Sequence, residues 1–142
     1  MILVDANLLL YARNSADPRH ERAAEVVQNA LNGPRRVGLP WQTLTAFLRI
    51  ATHPRVFPTP LSAEEAARSV EQWLAAPAAW VPVPTPRHGE VLLALVRGLR
   101  ITGALISDAH LAALALEHGV AIWTTDADFA RFEGLTWHDP LR

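Results

Sequence analysis

Ile2-Leu3-Val4-Asp5-Ala6-Asn7 is the stretch that decides how this chain folds. Its three apolar residues suit a strand buried on both faces, as in a parallel sheet covered by helices. A carboxylate directly after such a strand lies at its carboxyl end, the edge where open α/β sheets bind their ligands. Asn7 reads as the N-cap of a short helix from Leu8 to Arg13, its side chain accepting a backbone N–H of the first turn. Asp5 is therefore placed for chemistry, although a plain turn aspartate would look the same on this stretch alone.

Outward from there, helices and strands alternate. Asp17-Pro18 is turn chemistry, and a helix follows from about His20 to Leu31, stopped by Asn32-Gly33-Pro34. Arg36 to Leu39 is a short second strand. Trp41 to Thr52 carries Trp41, Leu44, Phe47, Leu48 and Ala51 at helical spacing, which implies core packing. Ser62 followed by Glu64 and Glu65 opens a helix to about Ala75. Trp80 to Val83 fits an edge strand, where Pro82 is tolerated. Helices are expected from about Arg87 to Leu99 and, after Gly103, through Asp108 to His118, the latter stopped by Gly119. Val120 to Thr124 is a strand, Thr125 to Phe132 a turn with a short helix, and Leu135 to Trp137 a last strand. This alternation predicts one α/β domain over residues 1–142: a mostly parallel sheet of about four to five strands flanked by helices.

Composition narrows the function classes. The 142 residues, half of them hydrophobic, suit one ordinary domain, with no apolar run near the ~20 residues that span a bilayer and no expected secretory leader. There is no cysteine, so thiolate metal sites and disulfides are excluded and the cytoplasm is the default compartment. A net charge of −1 gives no global pull towards nucleic acid. All 13 basic residues are arginine, whose planar fork grips phosphate locally.

The aspartates carry the functional argument. Of six, four fall at strand ends or helix starts: Asp5 after the first strand, Asp108 near the start of the alanine-rich helix, Asp126 and Asp128 after the strand ending at Thr124. With the first and fourth strands adjacent, these carboxylates meet at one end of the sheet. Like charges so close repel, and a hard divalent ion, Mg²⁺ or Mn²⁺, is the natural relief. Taken singly, each acid is also compatible with a plain role at a helix start.

The blocks Ile2–Asn7, Ile106–Ala115 and Thr124–Phe129, in this order and spacing, resemble the PIN domain, and within it the VapC-type toxins of bacterial toxin–antitoxin pairs. The resemblance implies a Mg²⁺-dependent endoribonuclease (with Mn²⁺ as a substitute), neutralised by a cognate antitoxin and usually a homodimer. It implies Asp5 and Asp108 as the foremost metal ligands and catalytic residues, then Asp126, with Asp128 supporting. Asn7 would fix the turn that aims Asp5, and Thr124 and Thr125 would hydrogen-bond the carboxylates. Arg49 and Arg55 are the nearest arginines for RNA phosphates, with Arg13, Arg19 and Arg22 a further group.

One departure matters. Such domains carry a glutamate on the helix after the second strand, and here Trp41 to Ile50 holds no acid, with Ala46 at the matching position. Gln42, Thr43 or Thr45 could hold a metal-bound water but bring no charge, so one well-held ion is expected. The competing reading is a PIN-like module that binds RNA or protein with little or no turnover. A phospho-acceptor domain also places acids at strand ends, but usually needs a lysine beside them, and this chain has none.

Overall fold

The computed structural model describes residues 1–142. Five strands, β1 (Ile2–Val4), β2 (Val37–Gly38), β3 (Ala79–Trp80), β4 (Ala121–Trp123) and β5 (Trp137–His138), form one sheet in the order β3-β2-β1-β4-β5. Every pairing is parallel. The helices are α1 (Ala6–Arg13), α2 (His20–Leu31), α3 (Trp41–Ala51), α4 (Ala63–Ala75), α5 (His88–Leu99) and α6 (Leu105–His118), with a 3-10 turn at Ala127–Arg131.

The period-2 alternation of β1 divides the core. Ile2 and Val4 join Leu8, Leu9, Phe47 and Val70 on one face, while Leu3 joins Ala112, Leu114, Ile122 and Phe129 on the other. Ile2, Leu3 and Val4 are all buried, as the unbroken apolar run requires. Gly38 faces Leu3 across the β1–β2 pair, and a Cβ there would run into Leu3 Cδ2 and come within 3.2 Å of Pro82 Cγ. The close approach of neighbouring side chains, rather than a turn, makes this position a glycine.

Local chemistry sets the helix ends. Ser62 Oγ accepts from the Glu65 N–H at 3.0 Å and Glu65 Oε1 accepts from the Ser62 N–H at 3.1 Å, a closed capping box that starts α4. Gly119 ends α6 in the left-handed region at φ 67°.

Three expectations change. Asn7 is not the N-cap of α1: the helix begins one residue earlier than Asn7, and Asp5 is the cap, its Oδ1 accepting from Ala6 N–H at 2.7 Å. Asn7 then lies inside the first turn, free to bond sideways. The third strand stops at Trp80, before Pro82, which lacks the N–H to extend a ladder. Trp41, at the start of α3, is 53% exposed, while Leu44, Phe47 and Ala51 of the same stripe are buried.

Candidate metal centre

β1 and β4 pair with Leu3 opposite Ile122 and Val4 opposite Trp123, so their carboxyl ends emerge side by side. Asp5 extends this ladder by one bond, its N–H donating to the Trp123 carbonyl at 3.0 Å. The Asp5 carboxylate is then held from both strands. Its Oδ2 accepts from Thr124 Oγ1 at 2.8 Å and from Asn7 Nδ2 at 3.2 Å, while Oδ1 caps α1. Thr124, fully buried, is the hub: its hydroxyl also accepts from Asn7 Nδ2 at 3.1 Å and from Asp126 N–H at 3.0 Å. Thr125 lies at the periphery, its hydroxyl 3.5 Å from that of Tyr11.

Across from Asp5, the first turn of α6 presents Asp108. The two carboxylates line one open cleft of about 680 Å³, together with Asn7, Gln42, Ala46 and Arg49. Burial pushes the Asp108 pKa up to about 6, and the negative charges of Asp5, Asp126 and Asp128 push in the same direction. Burial likewise raises Asp5, against the opposing bonds from Thr124 and Ala6, and Asp126 adds to the rise. Asp126 acts on both carboxylates, and Asp128 on Asp108, as charges from beside the cleft rather than as part of its lining. Asp126 Oδ1 caps the 3-10 turn by accepting from Asp128 N–H at 2.8 Å, and Asp128 lies 3.5 Å from Arg131. No three carboxylate or imidazole groups converge into a metal nest by themselves.

The lining nevertheless fits a hard divalent cation. Two crowded carboxylates supply charge, and two buried amide oxygens, Asn7 Oδ1 and Gln42 Oε1, have no donor within the protein. All are oxygen donors, the set that Mg²⁺ or Mn²⁺ takes. Ala46 does face this cleft, so the acid missing from α3 is missing at the site itself. Arg49 lines the cleft; Arg55 does not, and Arg19 is engaged by Asp17 at 2.9 Å and stacked on Tyr11.

A second polar cluster joins α5 to α6 and carries no signal in the local sequence. His88 Nδ1 is 2.6 Å from Glu117 Oε2, His88 Nε2 is 2.8 Å from His110 Nδ1, and Glu117 Oε1 accepts from Thr85 N–H at 2.6 Å. The Glu117 side chain is wholly buried. Burial, then the neighbouring His88 charge, lowers the pKa of His110.

Comparison with known proteins agrees with this architecture. The PIN domain profile matches residues 2–135. Ribonuclease VapC37 of Mycobacterium tuberculosis is 45% identical over 140 residues, covering 99% of this chain and 97% of that protein. Ribonuclease VapC33 of the same organism is 42% identical over 142 residues, covering 100% and 99%. Among solved structures, VapBC-1 from nontypeable Haemophilus influenzae superposes with a TM-score of 0.67 over 100% of both chains at 22% identity. M. tuberculosis VapC20, a sarcin–ricin loop cleaving toxin, superposes with a TM-score of 0.67 over 92% of this chain and 93% of its own, at 19% identity. From the strand-end carboxylates to the match along nearly its full length, the chain belongs to the PIN-domain family, on its VapC branch.

Proposed function

We propose that this protein is a metal-dependent endoribonuclease toxin that hydrolyses RNA phosphodiester bonds and is restrained by a cognate antitoxin. The observation that carries the reading is the Asp5–Asp108 cleft, in a chain 45% identical to a VapC ribonuclease over almost its whole length. The antitoxin partner is supported by the toxin–antitoxin complexes among the structural neighbours. A homodimer belongs to the same proposal.

Asp5 and Asp108 would hold Mg²⁺, or Mn²⁺ in its place, with Asp126 contributing charge. A bound ion of this kind supplies Lewis acidity at a phosphoryl oxygen and lowers the pKa of water. The remaining work belongs to the chain. Thr124, Asn7 and the Ala6 N–H fix the Asp5 carboxylate from three sides before any ligand arrives. Arg49, on the cleft wall, meets the charge of an RNA phosphate. Asp128 and Thr125 support the loop that carries Asp126.

The second reading, a binding module without turnover, has one specific observation in its favour: Ala46 faces the cleft where an acid would complete the set. One experiment separates the two. Purified, antitoxin-free protein is incubated with a small-RNA pool in Mg²⁺, in Mn²⁺ and in EDTA, beside a folded Asp5→Asn control. Discrete fragments that need both metal and Asp5 establish the nuclease. Metal and RNA binding without fragments favours the binding module.

A further inference from the structure

Gln42 stands out in the cleft because its two ends are treated differently. Its Nε2 donates to the Ser107 carbonyl at 2.6 Å, tying the first turn of α3 to the residue before Asp108. Its Oε1 is buried and has no partner. The orientation is fixed by chemistry: a carbonyl oxygen only accepts, so the amide NH₂ must face Ser107 and the amide oxygen must face the other way. A buried acceptor left without a donor is costly, so a ligand that donates a hydrogen bond there is favoured.

Its neighbours on α3 do not compete for this role. The Thr43 hydroxyl donates to the Val4 carbonyl at 2.8 Å and is buried there. The Thr45 hydroxyl donates back to the Trp41 carbonyl at 2.8 Å. Ala46, one turn after Gln42, lines the same cleft and offers nothing polar. Asn7 repeats the pattern from the opposite wall: its Nδ2 is used by Asp5 and Thr124, and its Oδ1 is left over.

We propose that Gln42 is a positioning residue that stands in for the acid absent at Ala46, its Oε1 accepting hydrogen bonds from the hydration shell of the cation held by Asp5 and Asp108. Asn7 Oδ1 serves the same shell from the α1 side. A neutral amide here holds water without adding charge, so the cleft keeps one ion and spares a third carboxylate beside two that already repel. The inference rests on the metal-centre reading above and adds to it which side chain of α3 completes the site.

The test is Mn²⁺ titration of the full chain, followed by the paramagnetic resonance of the free ion, with no RNA present. Gln42→Ala is expected to weaken Mn²⁺ binding by about tenfold or more, the usual consequence of removing a group that orients a metal's surroundings. Ala46→Glu is expected to tighten it, and Gln42→Ala made on top of Ala46→Glu is expected to lose much less. Gln42→Met, which keeps the length of the side chain, repeats the measurement should the alanine variant unfold. An unchanged affinity in Gln42→Ala, with binding abolished in Asp5→Asn, overturns the inference and leaves the metal-centre reading standing. An equal loss with and without Ala46→Glu also overturns it, because Gln42 would then act only through Ser107. No Mn²⁺ binding by the wild-type chain overturns both.

Discussion

The two ends of α6 hold opposite kinds of polar cluster. Near its start, Asp108 shares a cleft with Asp5, carboxylates repel one another, and two amide oxygens have no donor. Near its end, Glu117 is wholly buried, yet its oxygens are taken by the His88 ring and the Thr85 N–H, and His88 is in turn bonded to His110. The same helix supplies an acid to each. The difference is one of closure: the brace near the end of α6 completes its hydrogen bonds within the chain, whereas the cleft keeps two amide oxygens that no donor of the chain reaches.

The contrast is broken most severely at the cleft. Asp5→Asn and Asp108→Asn are expected to keep the fold, by circular dichroism, while lowering metal-dependent RNA cleavage by at least roughly 10²-fold, the scale of losing one aimed electrostatic group. Cleavage retained by both variants would remove the cleft from the chemistry.

At the other end, Glu117→Ala is expected to cost about 2–3 kcal/mol in chemical denaturation, since it strands a buried N–H and an imidazole. Cleavage per folded molecule should be unchanged.

Cation and proton should then separate the clusters further. With Mg²⁺ at 100 times its dissociation constant, the wild-type chain is expected to gain about 2.7 kcal/mol against unfolding, and Asp108→Asn much less. In EDTA the order inverts. The folded-state pKa of Asp108, about 6, lies above its ordinary value of 3.8, so the stability tied to its proton is present below 3.8 and lost as pH rises through 6. Asp108→Asn should therefore be the more stable protein at pH 7 by roughly 1 kcal/mol, allowing for solvent screening, with the gap closing on acidification. His110 runs the other way: its pKa lies below the ordinary 6.5, so its contribution is present above 6.5 and is lost as pH falls. Denaturation curves between pH 4 and 7, with and without Asp108→Asn, resolve the two slopes.

The smallest effect is expected at Arg49→Ala, which should flatten the dependence of log affinity for RNA on log salt by about 1. An unchanged slope would place the phosphate elsewhere than along this wall of the cleft.

Legibility in the sequence followed the range of each interaction. The apolar run into Asp5 announced a buried strand and its carboxyl end because both facts are local, and the parallel order followed from the alternation of helices and strands. The cap is local too, yet Asp5 rather than Asn7 takes it, since an aspartate caps as well as an asparagine and the helix starts at Ala6. Asp5 uses one oxygen to cap α1 and the other to accept from Thr124, while Asn7 turns its Nδ2 to Thr124 and Asp5. Gln42, Thr43 and Thr45 were equivalent on paper; the Val4 carbonyl that engages Thr43 comes from β1, 39 residues away. The brace was invisible, since His88 meets His110 and Glu117 at separations of 22 and 29 residues with no periodic pattern to mark them. Gly38 gave no sign of its reason either, which lies in Leu3 and Pro82.

The bond from Thr124 to Asp5 spans 119 residues, and it sets when a dangerous enzyme can first exist. During synthesis, the aspartate of β1 leaves the ribosome early, but the strand that holds it in place is made more than a hundred residues later. Until β4 has emerged and slotted beside β1, Asp5 has neither its threonine nor the neighbouring strand that carries Asp126. A growing chain thus has no assembled cleft, and gains one only once its late strands are free to fold.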